Sequence, residues 1–229
     1  MLESLKNNLV QALIVEDRYL LLLQGLKNTL IITFFALMLG LAIGLLVAII
    51  KVAGANNKKF KPLSWLADIY LTVIRGTPVV VQLIIISGSI MVATDNKILV
   101  AVVAFGINSG AYVAEIMRAG IMSVDIGQTE AGRSLGLPAG MTLRSIVLPQ
   151  AIKNILPSLG NEFITLLKET SVAGYVAIRD LTKAGNNIFS RTFNITPMYI
   201  VALVYLVLVI ILTWLQRKLE RRLAQSDRR

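Results

Sequence analysis

The sequence predicts an all-α, polytopic membrane protein, and two observations lead to that fold class. Hydrophobic residues make up 55% of the 229 residues and the mean hydropathy is +0.72, values typical of membrane proteins rather than soluble domains. The apolar residues also lie in runs long enough for a helix to cross a bilayer. Five runs between residues 20 and 215 predict one five-helix domain, with an interfacial N-terminal segment over 1–19 and a basic tail over 216–229.

Composition excludes several classes of function. The net charge of +10 does not indicate nucleic-acid binding, because the basic residues lie in the short segments between apolar runs. The chain has no Cys and no His, which excludes disulfides, Cys/His metal sites, thiol nucleophiles and His bases. A Gly-Lys pair, and with it a P-loop, is missing too. We therefore expect no catalytic residue, no metal and no directly bound cofactor; if the function depends on ATP, ATP and Mg²⁺ would have to bind another subunit.

The first span is predicted over about 20–50. Four leucines that precede it have helical spacing, which fits either an amphipathic helix on the membrane surface or a frayed terminus: Leu2, Leu5, Leu9 and Leu13. Within the span, Gly40 and Gly44 lie four residues apart and allow a neighbouring helix to approach closely. That neighbour belongs to the same subunit or to a dimer partner.

The second span, about 62–92, contains Pro78, which should kink or break the helix near the middle of the membrane. Such breaks persist only where protein or a watery cavity satisfies the freed backbone groups. The third span, about 97–121, carries Asn108, Tyr112 and Glu115 on one helical face. Arg118 follows Glu115 by three residues, so these two side chains could simply pair.

A polar stretch, 123–151, separates the third span from the fourth and is too interrupted to cross a bilayer. Gly136 predicts a tight turn or helix end, Pro138 the start of a second short helix, and Pro149 its end. The stretch should expose a small apolar knob formed by Leu135, Leu137 and Met141. Such a knob suits docking into a groove of another protein. The alternative is a loop that merely joins two spans.

The fourth and fifth spans are predicted over about 151–177 and 198–215, joined by a polar segment. Five spans place the termini on opposite sides. The side with the central stretch and the tail carries 14 Lys/Arg, against 7 on the other side. The positive-inside rule therefore predicts a cytoplasmic C-terminus and an N-terminus outside the cell.

Ionisable residues within spans are costly, so each needs a partner or a cavity. Glu162 lies about 17 Å along the fourth span, near the midplane. Asn108 and Arg75 are also near the middle of their spans. These groups indicate a water-accessible path, or else a set of structural ion pairs. The candidate substrate-binding residues are Arg75, Asn108, Glu115, Glu162 and Thr165.

The central stretch resembles a known motif. Glu130-Ala131-Gly132, then Gly136, then Ile146-Val147-Leu148-Pro149 resembles the EAA loop of ATP-binding-cassette (ABC) importer permeases, with Gly132 in place of the usual second Ala. Three further motifs are similar to those of the polar amino-acid branch: Arg75-Gly76-Thr77-Pro78, Ala114-Glu115-Ile116-Met117-Arg118-Ala119-Gly120 and Lys168-Glu169-Thr170-Ser171. The resemblance covers about residues 25–215.

The resemblance implies a type I ABC importer permease of the bacterial inner membrane that works by alternating access. Its partners would be a pair of ATP-binding subunits, a second permease subunit (a homodimer in preference to a heterodimer), an extracytoplasmic solute-binding protein and membrane lipid. The residues implied in ATPase coupling are Glu130, Ala131, Gly132, Leu135, Gly136 and Leu137. The alternatives are an ATPase-independent secondary transporter or channel protomer, against which the lack of an internal repeat counts, and an intramembrane enzyme.

The spans contain four acids and three bases, which favours a cationic substrate. If acids hold Arg75, Arg118 and Lys168, one carboxylate remains to meet a cation. Glu162 is the candidate because it is closest to the midplane, and Thr165 lies one turn further along the same face. The sequence therefore favours arginine, lysine or histidine as the cargo.

Overall fold

The computed structural model describes residues 2–225, and this part of the chain is helical without a strand. The α-helices are α1 (Leu2–Leu9), α2 (Arg18–Asn56), α3 (Lys61–Gly76), α4 (Val79–Ile85), α5 (Lys97–Met122), α6 (Ile126–Ser134), α7 (Ala139–Thr142), α8 (Leu148–Glu169), α9 (Leu181–Thr192) and α10 (Thr196–Gln225). Stretches of π-helix follow α1, α4 and α7 over Val10–Ile14, Ile86–Ile90 and Leu143–Val147, and 3-10 segments occupy Val15–Asp17, Lys58–Phe60 and Thr170–Val176.

Three helices of the described chain are long and apolar enough to cross a membrane: Lys6–Ala55, Lys97–Met122 and Thr196–Leu223. A bent pair, Lys58–Gly76 with Val79–Ile90, makes a fourth when it is counted as one span. Helix α8 does not meet the same test, since polar residues such as Asn154, Glu162 and Lys168 interrupt its apolar sequence. The all-α membrane fold is confirmed, whereas the count of five spans stays a prediction.

The break predicted at Pro78 is confirmed. The two halves of the bent pair meet at 108°, and Thr77 takes extended backbone angles between them (φ −122°, ψ 147°). Pro78 lacks an N–H group and so cannot continue the hydrogen-bond pattern of α3. The chain therefore re-enters a helix in a new direction at Val79.

Helices α2 and α5 form the centre of the molecule and cross closely. A Cβ atom on Gly40 would lie 3.0 Å from Oγ of Ser109, and one on Gly44 would lie 2.5 Å from Cγ1 of Val113. A Cβ atom on Gly106 of α5 would likewise collide with the Leu39 side chain of α2. Gly40 and Gly44 of the first predicted span thus serve packing within one subunit. The crossing fixes Ser109 between α2 and the candidate site described below.

The N-terminal segment packs against the end of the molecule that contains α9. Leu13 contacts the buried cluster that includes Leu22 and Leu181, and the Asn194 side-chain amide donates to the Asn8 carbonyl at 3.2 Å. Asp180 caps α9 by accepting from the backbone N–H groups of Thr182 and Lys183, the second and third residues of the helix. Burial raises the pKa of the Asp180 carboxyl, and those hydrogen bonds lower it. The N-terminus and the segment joining the last two spans therefore share one side.

Helix boundaries differ from the predicted spans at the C-terminal end. Helix α8 ends at Glu169, and a 3-10 segment continues to Val176. Helix α10 runs past Leu215 to Gln225, so the described part of the basic tail extends the last span as a helix. Residues 226–229 of the predicted tail lie outside the described residues.

Candidate functional site

An open cavity of about 850 Å³ lies between α3, α5 and α8. Its lining includes three of the five predicted substrate-binding residues: Arg75, Glu115 and Glu162. Tyr112, Asn154 and Ser158 also line it. The cavity therefore joins polar groups from three helices that are far apart in sequence, as expected for a solvent-accessible path.

Glu162 is the most buried charged residue of this cavity, with 8% of its surface exposed. The Ser109 hydroxyl donates to its Oε1 at 2.7 Å. Within the described residues, Glu162 belongs to no ion pair. A buried carboxylate with only a neutral donor is under-compensated, because burying a charge is costly without an opposite charge. A cation entering the cavity would compensate it.

Glu115 has a different environment on the facing wall of the cavity. Its carboxylate accepts from Nη2 of Arg118 at 2.9 Å and lies 3.6 Å from Nη1 of Arg75. Arg75 also lies over the ring of Tyr112, 5.8 Å from its centroid. For these residues the structure shows the ion pairs that the sequence left open as an alternative. Two guanidinium groups already surround the Glu115 carboxylate.

Asn108 is buried beside the cavity and is not among its lining residues. Its amide donates to Oε1 of Gln82 at 3.0 Å. Gln82 in turn donates to the Ile74 carbonyl at 2.7 Å and to Oγ1 of Thr77 at 2.8 Å. These bonds satisfy backbone and side-chain groups at the break, as the membrane interior requires. Asn108 thus holds the bent pair against α5.

Thr165, the remaining predicted residue, is half-buried and is not among the lining residues of the cavity. The polar face of α8 instead runs toward the helix start, through Ser158 and Asn154. These residues precede Glu162 by four and eight positions, a helical spacing that the sequence already displays. Ser109 and Gln82 carried no such signal, because small and amide side chains are common at helix contacts.

The central stretch forms a helix–turn–helix that projects from the ends of α5 and α8. Helix α6 ends at Ser134, and Gly136, two residues later, has φ +81°. The Gly136 N–H donates to the Arg133 carbonyl at 3.0 Å, and the Leu137 N–H donates to the Gly132 carbonyl at 3.2 Å. This pair of bonds is the Schellman pattern, in which glycine supplies the left-handed residue. The predicted turn is confirmed.

The apolar knob is exposed at the tip of this loop. Leu135 is 81% exposed and Met141 is 52% exposed, and Leu137 is half-buried. Glu130 and Ala131 are exposed beside them.

Gly132 has another position in the loop. It is buried where α6 folds back on the following helix, and a Cβ atom there would lie 2.7 Å from Cγ2 of Thr142. Gly132 therefore shapes the loop from within, while the knob faces outward.

The predicted helix end at Pro149 is wrong. The chain stays helical from α7 through the π-helical stretch Leu143–Val147 into α8. The π stretch shifts the hydrogen-bond register, and Pro149 falls in the first turn of α8, where a missing N–H is tolerated. The loop is thus joined by continuous helix to the part of α8 that carries Glu162.

A bent span, a polar cavity and a projecting helical loop together define a transport permease. The chain belongs to the family described as binding-protein-dependent transport system inner membrane component, which it matches over residues 40–225. The arginine transport system permease protein ArtQ of Bacillus subtilis (strain 168) is 39% identical over 210 residues, covering 90% of this chain and 94% of that protein. The glutamine transport system permease protein GlnP of Escherichia coli (strain K12) is 37% identical over 212 residues, covering 89% and 93%.

Solved structures agree with this family. A crystal structure of an amino acid ABC transporter with histidines has a chain that is 42% identical, with a TM-score of 0.83 and coverage of 91% of this chain and 96% of that one. A chain of the inward-facing MetNI methionine ABC transporter is 22% identical, with a TM-score of 0.77 and coverage of 90% and 97%, and shares the fold. The resemblance to permeases of amino-acid ABC importers is confirmed.

Proposed function

We propose that this chain is the permease subunit of an ABC importer for a polar amino acid, with a cationic amino acid as its preferred cargo. The observation that carries the charge preference is Glu162, a buried carboxylate that lines the cavity and has the Ser109 hydroxyl as its donor. A guanidinium, ammonium or imidazolium group would form a charge-assisted hydrogen bond there. The arginine system of Bacillus subtilis and the transporter structure with histidines support the same preference.

A neutral amino acid is the second candidate. Relatives named as glutamine permeases are almost as similar to this chain as the arginine permease. Every amino acid carries an α-ammonium group, and Glu162 is equally able to bind that group. The Arg75 guanidinium on the facing wall could then attract the α-carboxylate. In the first candidate, the cation that binds Glu162 belongs to the side chain of the cargo. In the second, it is the α-ammonium group of the cargo.

The proposed assembly is supported by the family and by the exposed loop. Two copies of this chain form the translocation path, and a pair of ATP-binding subunits docks on the two central loops through Leu135, Leu137 and Met141. ATP hydrolysis is carried out by those subunits. An extracytoplasmic binding protein delivers the cargo at the end that contains α9. The chain has five spans in the bacterial inner membrane, with its N-terminus outside and its C-terminus in the cytoplasm, and α8 is the fourth of these spans despite its polar face.

The loop is continuous with α8, which gives a path for coupling. Closure of the ATPase pair moves the loops, and each loop moves the helix that carries Glu162. The spans then rock around the cavity and open it alternately to either side. This is a two-state arrangement in which ATP binding selects one state.

The test of the function is uptake by vesicles that contain this chain and its copurifying ATPase and binding protein. We expect uptake of labelled arginine to require ATP, and unlabelled lysine or histidine to compete better than glutamine. Preference for glutamine would select the second candidate, and preference for glutamate or aspartate would contradict both. Uptake without ATP and without a copurifying ATPase would contradict the ABC mechanism.

Coupling is tested at Gly136. A Gly136→Val substitution places a β-branched residue at φ +81°, where such residues are strained by roughly 1–3 kcal/mol. We expect the subunit to insert normally and transport-coupled ATP hydrolysis to fall severalfold. The matched control is Gly140→Val in the same loop, because Gly140 lies in α7 with open space around it. Equal coupling in both variants would contradict the docking role of the loop.

A further inference from the structure

A second cavity, of about 720 Å³, lies outside the cargo path. It is formed by the end of α2, the start of α3 and the end of α5. Apolar side chains such as Val52, Trp65 and Ile121 line most of it, with Met122. Gly54 and Ser64 line it too and touch closely, since a Cβ atom on Gly54 would collide with the Ser64 side chain. The cavity thus offers a mostly apolar interior shaped by a close helix contact.

Basic side chains surround this apolar interior. Lys51, Lys61 and Arg118 line the cavity, against a single acid, Asp68. Lys51 contacts Asp68 at 2.6 Å, and Arg118 is held by Glu115 from the neighbouring cavity. Lys61 is exposed and belongs to no ion pair among the described residues. Lys58 and Lys59 precede it in the same exposed connection, so the local charge is strongly positive.

The cavity opens at the edge of the membrane-facing surface. Trp65 is 64% exposed, and its neighbours Leu63 and Leu66 are 42% and 54% exposed. Tryptophan is enriched at the membrane–water interface, where its ring and its N–H group meet different environments. Helix α5 leads from this cavity directly into Ser123 and the central loop. The cavity therefore lies at headgroup level on the side of the loop.

We propose that this cavity binds an anionic phospholipid, with the phosphate of its headgroup held by Lys51 and Lys61 and its acyl chain lying along Val52 and Trp65. Basic pockets between membrane helices hold acidic headgroups in this way. A soluble anion would match the lysines but leave the apolar lining in water. A phospholipid matches both, and the exposed apolar helix faces beside Trp65 lead its acyl chain out into the bilayer.

The chain provides its own reporter for this site. It contains two tryptophans, Trp65 in the cavity and Trp214 on α10. A full-length Trp214→Phe chain, reconstituted with the subunits that copurify with it, keeps Trp65 as the only tryptophan of the permease. A chain with Trp65→Phe as well supplies the background that is subtracted. Quenching is measured in vesicles containing about one fifth brominated phosphatidylglycerol or, separately, about one fifth brominated phosphatidylcholine.

We expect brominated phosphatidylglycerol to quench Trp65 several times more strongly than the brominated zwitterionic lipid does. Lys51→Gln together with Lys61→Gln should remove this excess. Each lysine should contribute about fivefold to the preference, which corresponds to roughly 1 kcal/mol. The matched control is Arg217→Gln with Arg222→Gln, which removes the same charge from the exposed end of α10, away from the cavity. This control should keep the excess.

Four results would overturn the proposal. Equal quenching by the two lipids, or an excess that survives the double lysine substitution, would show that the cavity does not select the acidic headgroup. Weak quenching by both would show that protein, such as a second copy of the chain, covers the cavity. Loss of the excess on adding millimolar inorganic phosphate would assign the lysines to a soluble anion. The excess should instead persist, because phosphate does not fill the apolar part of the site.

Discussion

The two carboxylates that line the cavity between α3, α5 and α8 lie in opposite electrostatic environments. Glu115 is held by Arg118 at 2.9 Å and approached by Arg75 at 3.6 Å, whereas Glu162 accepts from the Ser109 hydroxyl at 2.7 Å. Glu115 is also the more exposed of the two, with 23% of its side chain accessible. The negative charge of Glu115 is thus compensated by arginines of the same chain. The charge of Glu162 is more deeply buried and less compensated.

This difference indicates which acid is structural and which is available to a ligand. An ion pair inside a protein offsets much of its own desolvation cost, so Glu115 gains little from a further cation. Glu162 is buried away from water and has no positively charged partner among the described residues. A bound cation would therefore stabilise the Glu162 carboxylate more than the Glu115 carboxylate. The comparison can be tested by removing each acid and each of its partners in turn.

The largest effect is expected from Glu162→Gln. The amide keeps the shape and still accepts from Ser109, but it offers no charge to a cationic cargo. Removing one partner of a buried charge pair costs about 2 kcal/mol or more, so uptake of a basic amino acid should fall at least roughly 30-fold. Basal ATP hydrolysis should stay unchanged. Unaltered uptake of basic amino acids would remove Glu162 from the binding site.

A smaller loss of apparent affinity for the cargo is expected from Ser109→Ala. The Ser109 hydroxyl orients the Glu162 carboxylate from the α2–α5 crossing. A hydrogen bond to a charged group is worth about 1.5–3 kcal/mol, and relaxation of the site should keep the loss of apparent affinity near tenfold. The measurement is the concentration of cargo at half-maximal uptake. The maximal rate should be nearly unchanged, and a fall in that rate alone would contradict the positioning role.

Glu115→Gln should have a smaller effect still. Its partners are partly exposed, and such ion pairs contribute about 0.2–1 kcal/mol. We expect basic amino-acid uptake to fall less than about fivefold. Loss of transport as large as in Glu162→Gln would show that Glu115, despite its two arginines, also binds the cargo.

The smallest effect is expected from Asp68→Asn. Asp68 pairs with Lys51 at 2.6 Å, outside the cargo cavity, and 54% of its side chain is exposed. An exposed pair of this kind contributes at most about 1 kcal/mol. Cargo uptake should be unchanged within error, and the melting temperature of the purified protein should shift by only a few degrees. A transport defect would extend the functional region beyond the cavity.

The sequence by itself determined those features that arise from neighbouring residues. Long apolar runs predicted the membrane helices, and Pro78 predicted the break in the second span. Gly136 predicted the turn in the central loop, because few other residues accept φ +81°. The loop motif also identified the family, since its residues lie within a single stretch of chain.

Only the tertiary structure decided which polar groups meet. A helical face can be inferred from spacing, but the rotation of each helix about its axis is set by close packing such as that of Gly40 against Ser109. That packing brings Ser109 to Glu162, although 53 positions separate them in sequence. The same packing places the Asn108 amide within hydrogen-bond distance of Gln82. It also leaves Thr165 outside the lining of the cavity. Partners so distant in sequence leave no local pattern, because their contact depends on the whole arrangement of α2, α5 and α8.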